Sequence, residues 1–210
     1  GAEERPAWLS PLVEQLGRQI MTGINEATHV NPVNLLAVVL LTTRKLAMDR
    51  VELLGQLELY LSLLSNCRYS DRITFTSKSA EEIVHYGIDL GIIENRKHPL
   101  GDIVAIAPKQ AVLLTYFRNN VSHLVAVPSL IASCFLNRNR IELGQLHRIT
   151  QSLYPFLKAE LFLPWDGEEF KKAVDDDIAW LLNQGLLSKD EKHNALRCPK
   201  SGGHKDQQLR

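Results

Sequence analysis

Nearly every short signature of a chemical centre is missing from this 210-residue chain. Its three cysteines, Cys67, Cys134 and Cys198, are odd in number and far apart. That excludes a disulfide framework and a C-x2-C metal or redox pair, and it fits a reducing compartment. No H-E-x2-H, cysteine cluster or EF-hand spacing occurs, so neither a metal nor a cofactor is expected. The serine-hydrolase elbow and the P-loop are absent as well. Charge of one sign is lacking, because 24 Lys+Arg balance 24 Asp+Glu, and a nucleic-acid binder would carry a basic excess. The longest stretch without these four residue types, Asn119 to Asn137, is interrupted by His123, Pro128 and three serines, which argues against a spanning helix. No charged n-region followed by an apolar h-region is present. The chain opens Gly1-Ala2-Glu3-Glu4 without an initiator methionine, which predicts a fragment or a processed product.

What is present reads as helices. Leu9, Leu12, Val13, Leu16, Ile20 and Ile24 recur at helical spacing and predict an amphipathic first helix ending near Thr28. Asn31-Pro32 supplies a cap and a first-turn proline for a helix whose Leu35 to Leu41 run is apolar on every face, and hence central. Asp49 with Glu52 predicts a capping box, and Met48 with Leu53 its hydrophobic staple, for a third helix through Leu64. Ser79 with Glu82 opens another helix that Gly91 stops. Two β-prone runs follow, at Ile92-Ile93 and Ile103 to Ile106. Pro108 opens a long helix through about Val127, and Pro128 starts or kinks the next, to Leu136. Its apolar heart, Leu124 to Leu136, has the length of a buried or interfacial helix. A helix over Glu142 to Leu157 comes next. Asp166 with Glu169 and Trp165 with Phe170 repeat the box and staple before Gly185, and Leu186-Leu187-Ser188 lead into the tail.

The expected fold is thus mainly α, a helical bundle-like module of residues 1–199 with two short helix-plus-β-hairpin, winged-helix-like units. Sub-regions are expected at about 6–66, 72–137 and 141–199, with a mobile tail over 200–210. Charge is uneven along it. Arg96 to Arg148 holds seven basic and two acidic residues, and Glu160 to Glu191 nine acidic and three basic, giving an electropositive middle and an electronegative C-terminal part.

The clearest polar intrusion in an apolar helix is Tyr116 to His123. Tyr116, Asn119, Asn120 and His123 fall at i, i+3, i+4 and i+7, one stripe with Arg118 to its side. The preferred reading is a structural polar network of these four side chains. The alternative makes Arg118 and His123 substrate-binding groups for an anion such as a phosphate. His85 before Asp89 and His98 before Asp102 read as a helix-surface pair and a turn pair. Asp175-Asp176-Asp177 points three carboxylates in different directions and reads as a solvated face.

The stretch Thr115-Tyr116-Phe117-Arg118-Asn119-Asn120-Val121-Ser122-His123-Leu124-Val125-Ala126-Val127-Pro128-Ser129-Leu130-Ile131-Ala132 resembles the C-terminal region of the bacterial membrane-bound glycerol-3-phosphate acyltransferases. Ile24 to Ala37, with its Thr28-His29-Val30-Asn31-Pro32-Val33-Asn34 centre, resembles the segment that follows the catalytic domain in that family. The similarity covers roughly Pro6 to Gly185. It implies acyl transfer from acyl-CoA or acyl-carrier protein to the 1-hydroxyl of glycerol 3-phosphate in phospholipid synthesis. It also implies a place at the cytoplasmic face of the bacterial inner membrane, peripheral or monotopic. The family's reaction depends on an Asn-His-x4-Asp block whose histidine is the general base. None of the seven histidines here has an aspartate five positions on, and the family's Phe-Pro-Glu-Gly block is also missing. The resemblance therefore implies a non-catalytic C-terminal portion, without catalytic residues, whose partners are an upstream catalytic domain, the parent enzyme's substrates and a membrane surface. Contact with that surface is expected through the electropositive middle and Leu124 to Leu136. The competing expectation is a free-standing winged-helix-like interaction module.

Overall fold

The computed structural model describes residues 6–99 and 101–199; the tail expected over 200–210 lies outside the described residues. The architecture is mainly α, with eight α-helices and short strands among the described residues. Helix α1 (Leu9–Glu26) leads through β1 (His29–Val30) to α2 (Pro32–Leu40). At the start of α2 the side chains of Asn31 and Asn34 each accept the other's main-chain N–H at 3.0 Å. The donors orphaned at a helix start are thereby satisfied reciprocally. All nine residues of α2 are buried, so the run that is apolar on every face does become the centre of the core.

Strand β2 (Ala47–Asp49) precedes α3 (Arg50–Asn66), and β3 (Thr74–Phe75), which pairs with β1, precedes α4 (Ala80–Asp89) and the hairpin of β4 (Ile93–Arg96) and β5 (Ile103–Ile106). Helix α5 (Ala111–Asn119) comes next, followed by a 3-10 turn (Ser122–Val125), α6 (Ala126–Ser133), β6 (Arg140–Glu142), α7 (Leu143–Leu161), α8 (Gly167–Asn183), β7 (Ser188–Asp190) and β8 (Ala195–Arg197). Apart from β3, which lies between α3 and α4, two stretches therefore share one order of elements, helix, strand, helix, helix, hairpin. They run from α2 to β5 and from α6 to β8. Their three-stranded antiparallel sheets share one strand order as well, β2-β5-β4 and β6-β8-β7.

Two expectations are corrected. The long helix from Pro108 to Val127 is broken, because α5 stops at Asn119 and a 3-10 turn begins at Ser122. Asp166 precedes α8 without accepting a capping hydrogen bond; its carboxylate pairs instead with the Lys158 ammonium. The apolar side chains of the Leu124 to Leu136 run lie in or against the core, with Leu124, Val127, Leu130 and Ile131 buried and, among them, only Leu136 exposed. No helix of the described residues is long and apolar enough to cross a membrane.

Candidate functional site

The break after α5 turns His123 inward. Its side chain is 3% exposed, and its Nε2 donates to the carbonyl of Asn25 at 3.2 Å, with the Thr28 hydroxyl at 3.3 Å. A carbonyl only accepts, which fixes the proton on Nε2. Burial drives the His123 pKa down to about 4, against the opposing pull of the Asn25 carbonyl, so the ring is neutral at pH 7. The Tyr69 ring meets it edge-on at 5.0 Å and meets Trp165 at 5.1 Å. Around this pair, Asn25 Nδ2 donates to the Leu161 carbonyl at 2.8 Å, and the hydroxyls of Thr22 and Tyr69 donate to that of Phe162. Phe162 adopts a left-handed conformation, φ 54°. That turns the chain between α7 and α8 so that consecutive carbonyls face α1.

This junction joins the end of α1, the end of α3, the turn before α6 and the α7–α8 connection. The two sequence blocks that carried the resemblance are the ones that meet here. Asn25 and Thr28 of the first contact His123 of the second, and Asn34 Nδ2 donates to the Phe117 carbonyl at 2.7 Å.

The expected stripe divides. Tyr116 is 67% exposed, Asn119 and Asn120 are exposed, and none of the three bonds to His123. The helix that would have aligned them ends between Asn119 and Asn120. Arg118 is half-buried; its guanidinium donates to Asn119 Oδ1 at 3.2 Å and 3.4 Å, and no carboxylate pairs with it among the described residues. His123 is buried inside the junction with Nε2 engaged, whereas the Arg118 guanidinium rests against Asn119.

His85 and Asp89 are 3.5 Å apart on an exposed helix face. A closer pair, His147 Nε2 with Asp175 at 3.0 Å between α7 and α8, was not legible in the sequence. The other ring nitrogen is buried and has no partner, so it is out of a substrate's reach. No group of three or more metal-ligating side chains occurs among the described residues. Asp175 and Asp176 are exposed as expected, but Asp177 is buried. Burial pushes its pKa up to about 7, the Cys67 thiol bond opposing and Asp176 adding. Between the two units an apolar cavity of about 410 Å³ is lined by Val39, Met48, Tyr60, Pro128 and Trp180, with Glu52 as the only charged residue among its described walls. It suits an aliphatic group better than an anion.

These features describe a packed helical module with a structural polar junction. The profile of the family described as glycerol-3-phosphate acyltransferase C-terminal region matches residues 1–209. The chain is 43% identical over 185 residues to the glycerol-3-phosphate acyltransferase of Xanthomonas axonopodis pv. citri (strain 306), covering 88% of this chain and 21% of that protein. It is 43% identical over 195 residues to that of Xylella fastidiosa (strain 9a5c), 92% of this chain and 22% of the relative. For Pseudomonas fluorescens (strain SBW25) the figures are 38% over 204 residues, 97% and 24%. The chain belongs to the glycerol-3-phosphate acyltransferase C-terminal region family. It spans about a fifth of the length of the first two of these relatives.

Proposed function

We propose that this chain is the non-catalytic C-terminal module of an acyltransferase that acylates the 1-hydroxyl of glycerol 3-phosphate from acyl-CoA or acyl-carrier protein, and that it packs against the upstream catalytic domain. One observation carries the reading. The chain matches the C-terminal region of such enzymes almost end to end, while none of its own histidines has the His-x4-Asp spacing of that family's general base. His123, Asn25 and Tyr69 then serve to hold the module's elements together. Arg118, half-buried and unpaired with any carboxylate among the described residues, is the group of the stretch suited to meet a carboxylate of the catalytic domain or a phosphate. Attachment to the cytoplasmic face of the bacterial inner membrane belongs on this reading to the parent polypeptide, because the run from Leu124 to Cys134 is committed to the core.

The test is an acyltransferase assay with glycerol 3-phosphate and a long-chain acyl-CoA, run on the chain alone and on the parent polypeptide. Turnover by the parent and none by the 210-residue chain is the expected result; turnover by the chain alone above a no-protein control refutes the reading. Arg118→Lys in the parent sharpens it, since a raised Michaelis constant for glycerol 3-phosphate with unchanged melting temperature would place Arg118 at the substrate.

A further inference from the structure

Helix α1 stands largely clear of the body, since every residue from Ser10 to Met21 is exposed. Its C-terminal part borders, through Arg18, Thr22 and Glu26, a cleft walled by Lys158, Phe162 and Pro164. The side-chain hydrogen bonds and ion pair that tie it to other elements come from its last turns: Thr22 to Phe162, Asn25 to Leu161, His123 to the Asn25 carbonyl, and Glu26 to Arg72 at 3.6 Å. The opposite side carries Leu12, Val13, Leu16, Ile20 and Ile24 at helical spacing, and all five are exposed, Ile20 by 61% and Ile24 by 57%. Trp8, just before the helix, is 62% exposed. An amphipathic helix normally turns such a stripe to the core, and a contiguous apolar patch of this kind marks an interaction surface.

We infer that this outward face of α1 is the seat of the upstream acyltransferase portion of the same polypeptide; the inference rests on the reading under Proposed function. In the Xanthomonas and Xylella relatives about four fifths of the polypeptide lies outside the matched region. Because that region is C-terminal by the family's description, this length enters at the N-terminal end of α1. A covalently attached domain meets the face at high effective concentration. The charge pattern selects a protein face over an anionic lipid surface. Within Leu9–Glu26 the only basic residue is Arg18, against Glu14 and Glu26, whereas a helix lying on lipid carries Lys and Arg along its polar side. The polar junction around His123 grips the base of α1 through Asn25.

The test substitutes Val13→Glu together with Ile20→Glu, in the 210-residue chain and in the parent polypeptide. Both residues are exposed in the chain alone, so its circular dichroism and melting temperature should not change. In the parent, limited trypsin cleavage at the junction before α1 should accelerate about tenfold or more, because cleavage tracks the population of the undocked form. Gln15→Glu, on the polar side, should leave that rate as it was. Unchanged cleavage in the doubly substituted parent overturns the proposal. So does loss of a concentration-dependent dimer of the chain, or of co-sedimentation with phosphatidylglycerol-containing vesicles, if cleavage in the parent is unaffected; the occupant is then a second copy or a membrane. A parent without acyltransferase activity overturns the functional reading and this one together, whereas an active parent indifferent to the substitutions overturns this one alone.

Discussion

The stretch from α2 to β5 and the stretch from α6 to β8 achieve one arrangement with different side chains. What they share is mostly backbone. The first N–H of α3, from Arg50, donates to the carbonyl before β5, Asp102, at 2.8 Å; that of α7, from Leu143, donates to the carbonyl before β8, Asn194, at 3.0 Å. Helices α4 and α8 end in the same double bond pattern. Gly91 donates to Ile88 and Ile92 to Gly87 in one; Gly185 donates to Leu182 and Leu186 to Leu181 in the other. Both glycines have positive φ, 65° at Gly91 and 69° at Gly185, the left-handed ending that favours glycine. What differs is polar chemistry. In the first unit Asp49 caps α3, and Ser79 with Glu82 forms a reciprocal box on α4; in the second, Glu142 and Asp166 make no capping bond. The second hairpin instead gathers Arg197 at 2.7 Å, His193 at 3.2 Å and Arg140 at 3.6 Å on Asp190. Counting back eight residues from each glycine meets Ile83, fully buried, in the first unit and buried Asp177 in the second. Strand order and helix endings define the unit, and caps and ion pairs are replaceable.

The largest effect that would sharpen this contrast is a pH dependence from Asp177. The folded carboxyl keeps its proton up to about pH 7, and the unfolded one releases it near 4. Between those values the folded chain binds more protons, so stability falls as pH rises. His123 acts oppositely. Folded, it releases its proton near 4, and unfolded near 6.5, so stability falls as pH drops through that window. The two slopes oppose each other between about 4 and 6.5. Asp177→Asn should therefore raise the melting temperature at pH 8 and leave the acid-side loss from His123 uncovered. A variant whose pH profile matches wild type would show that Asp177 ionises at no cost in the fold.

Next in size, Gly91→Ala and Gly185→Ala should each cost about 1–2 kcal/mol in denaturant unfolding, because a Cβ is disfavoured in the left-handed region. Costs that differ by more than the lower figure would break the equivalence of the two endings. Smaller still, Ser79→Ala should cost about 1 kcal/mol, whereas Asp166→Ala loses only the Lys158 ion pair and should cost less than about 0.5 kcal/mol. Equal costs would mean that Asp166 caps α8 in solution. Last, Asn120→Ala should change stability by no more than about 0.5 kcal/mol, since the residue is exposed; a loss of about 2 kcal/mol or more would restore the expected polar network.

The helices were legible wherever one local signal decided them. The repeat at Leu9 to Ile24, the asparagine and proline before α2, the Ser79–Glu82 box and the glycines at 91 and 185 each placed a helix or its end to within a few residues. The end of α5 shows the limit. A pattern of apolar residues continues from Leu113 to Ile131, and nothing local announces that the chain must bend to bury His123 against Asn25, a partner 98 positions away. The short strands β2 and β6, of three residues each, are too brief for alternation to register; they exist because β5 and β8 offer them an open edge. The Asp177 carboxylate departs from the solvated face that such a helix position ordinarily implies, because tertiary packing against Cys67 turns it inward. The amphipathic stripe of α1 was read correctly as a stripe, but periodicity does not say which side meets the body.

In each three-stranded sheet the strand completed last in chain order is the one in the middle. Neither β2 nor β4 has a neighbour until Ile103–Ile106 is made, and neither β6 nor β7 until Ala195–Arg197 is made. On a growing chain, each unit therefore waits with helices formed and edges unpaired until its final segment leaves the ribosome. A premature stop that removes the three residues of β8 strips two strands of their partner at once.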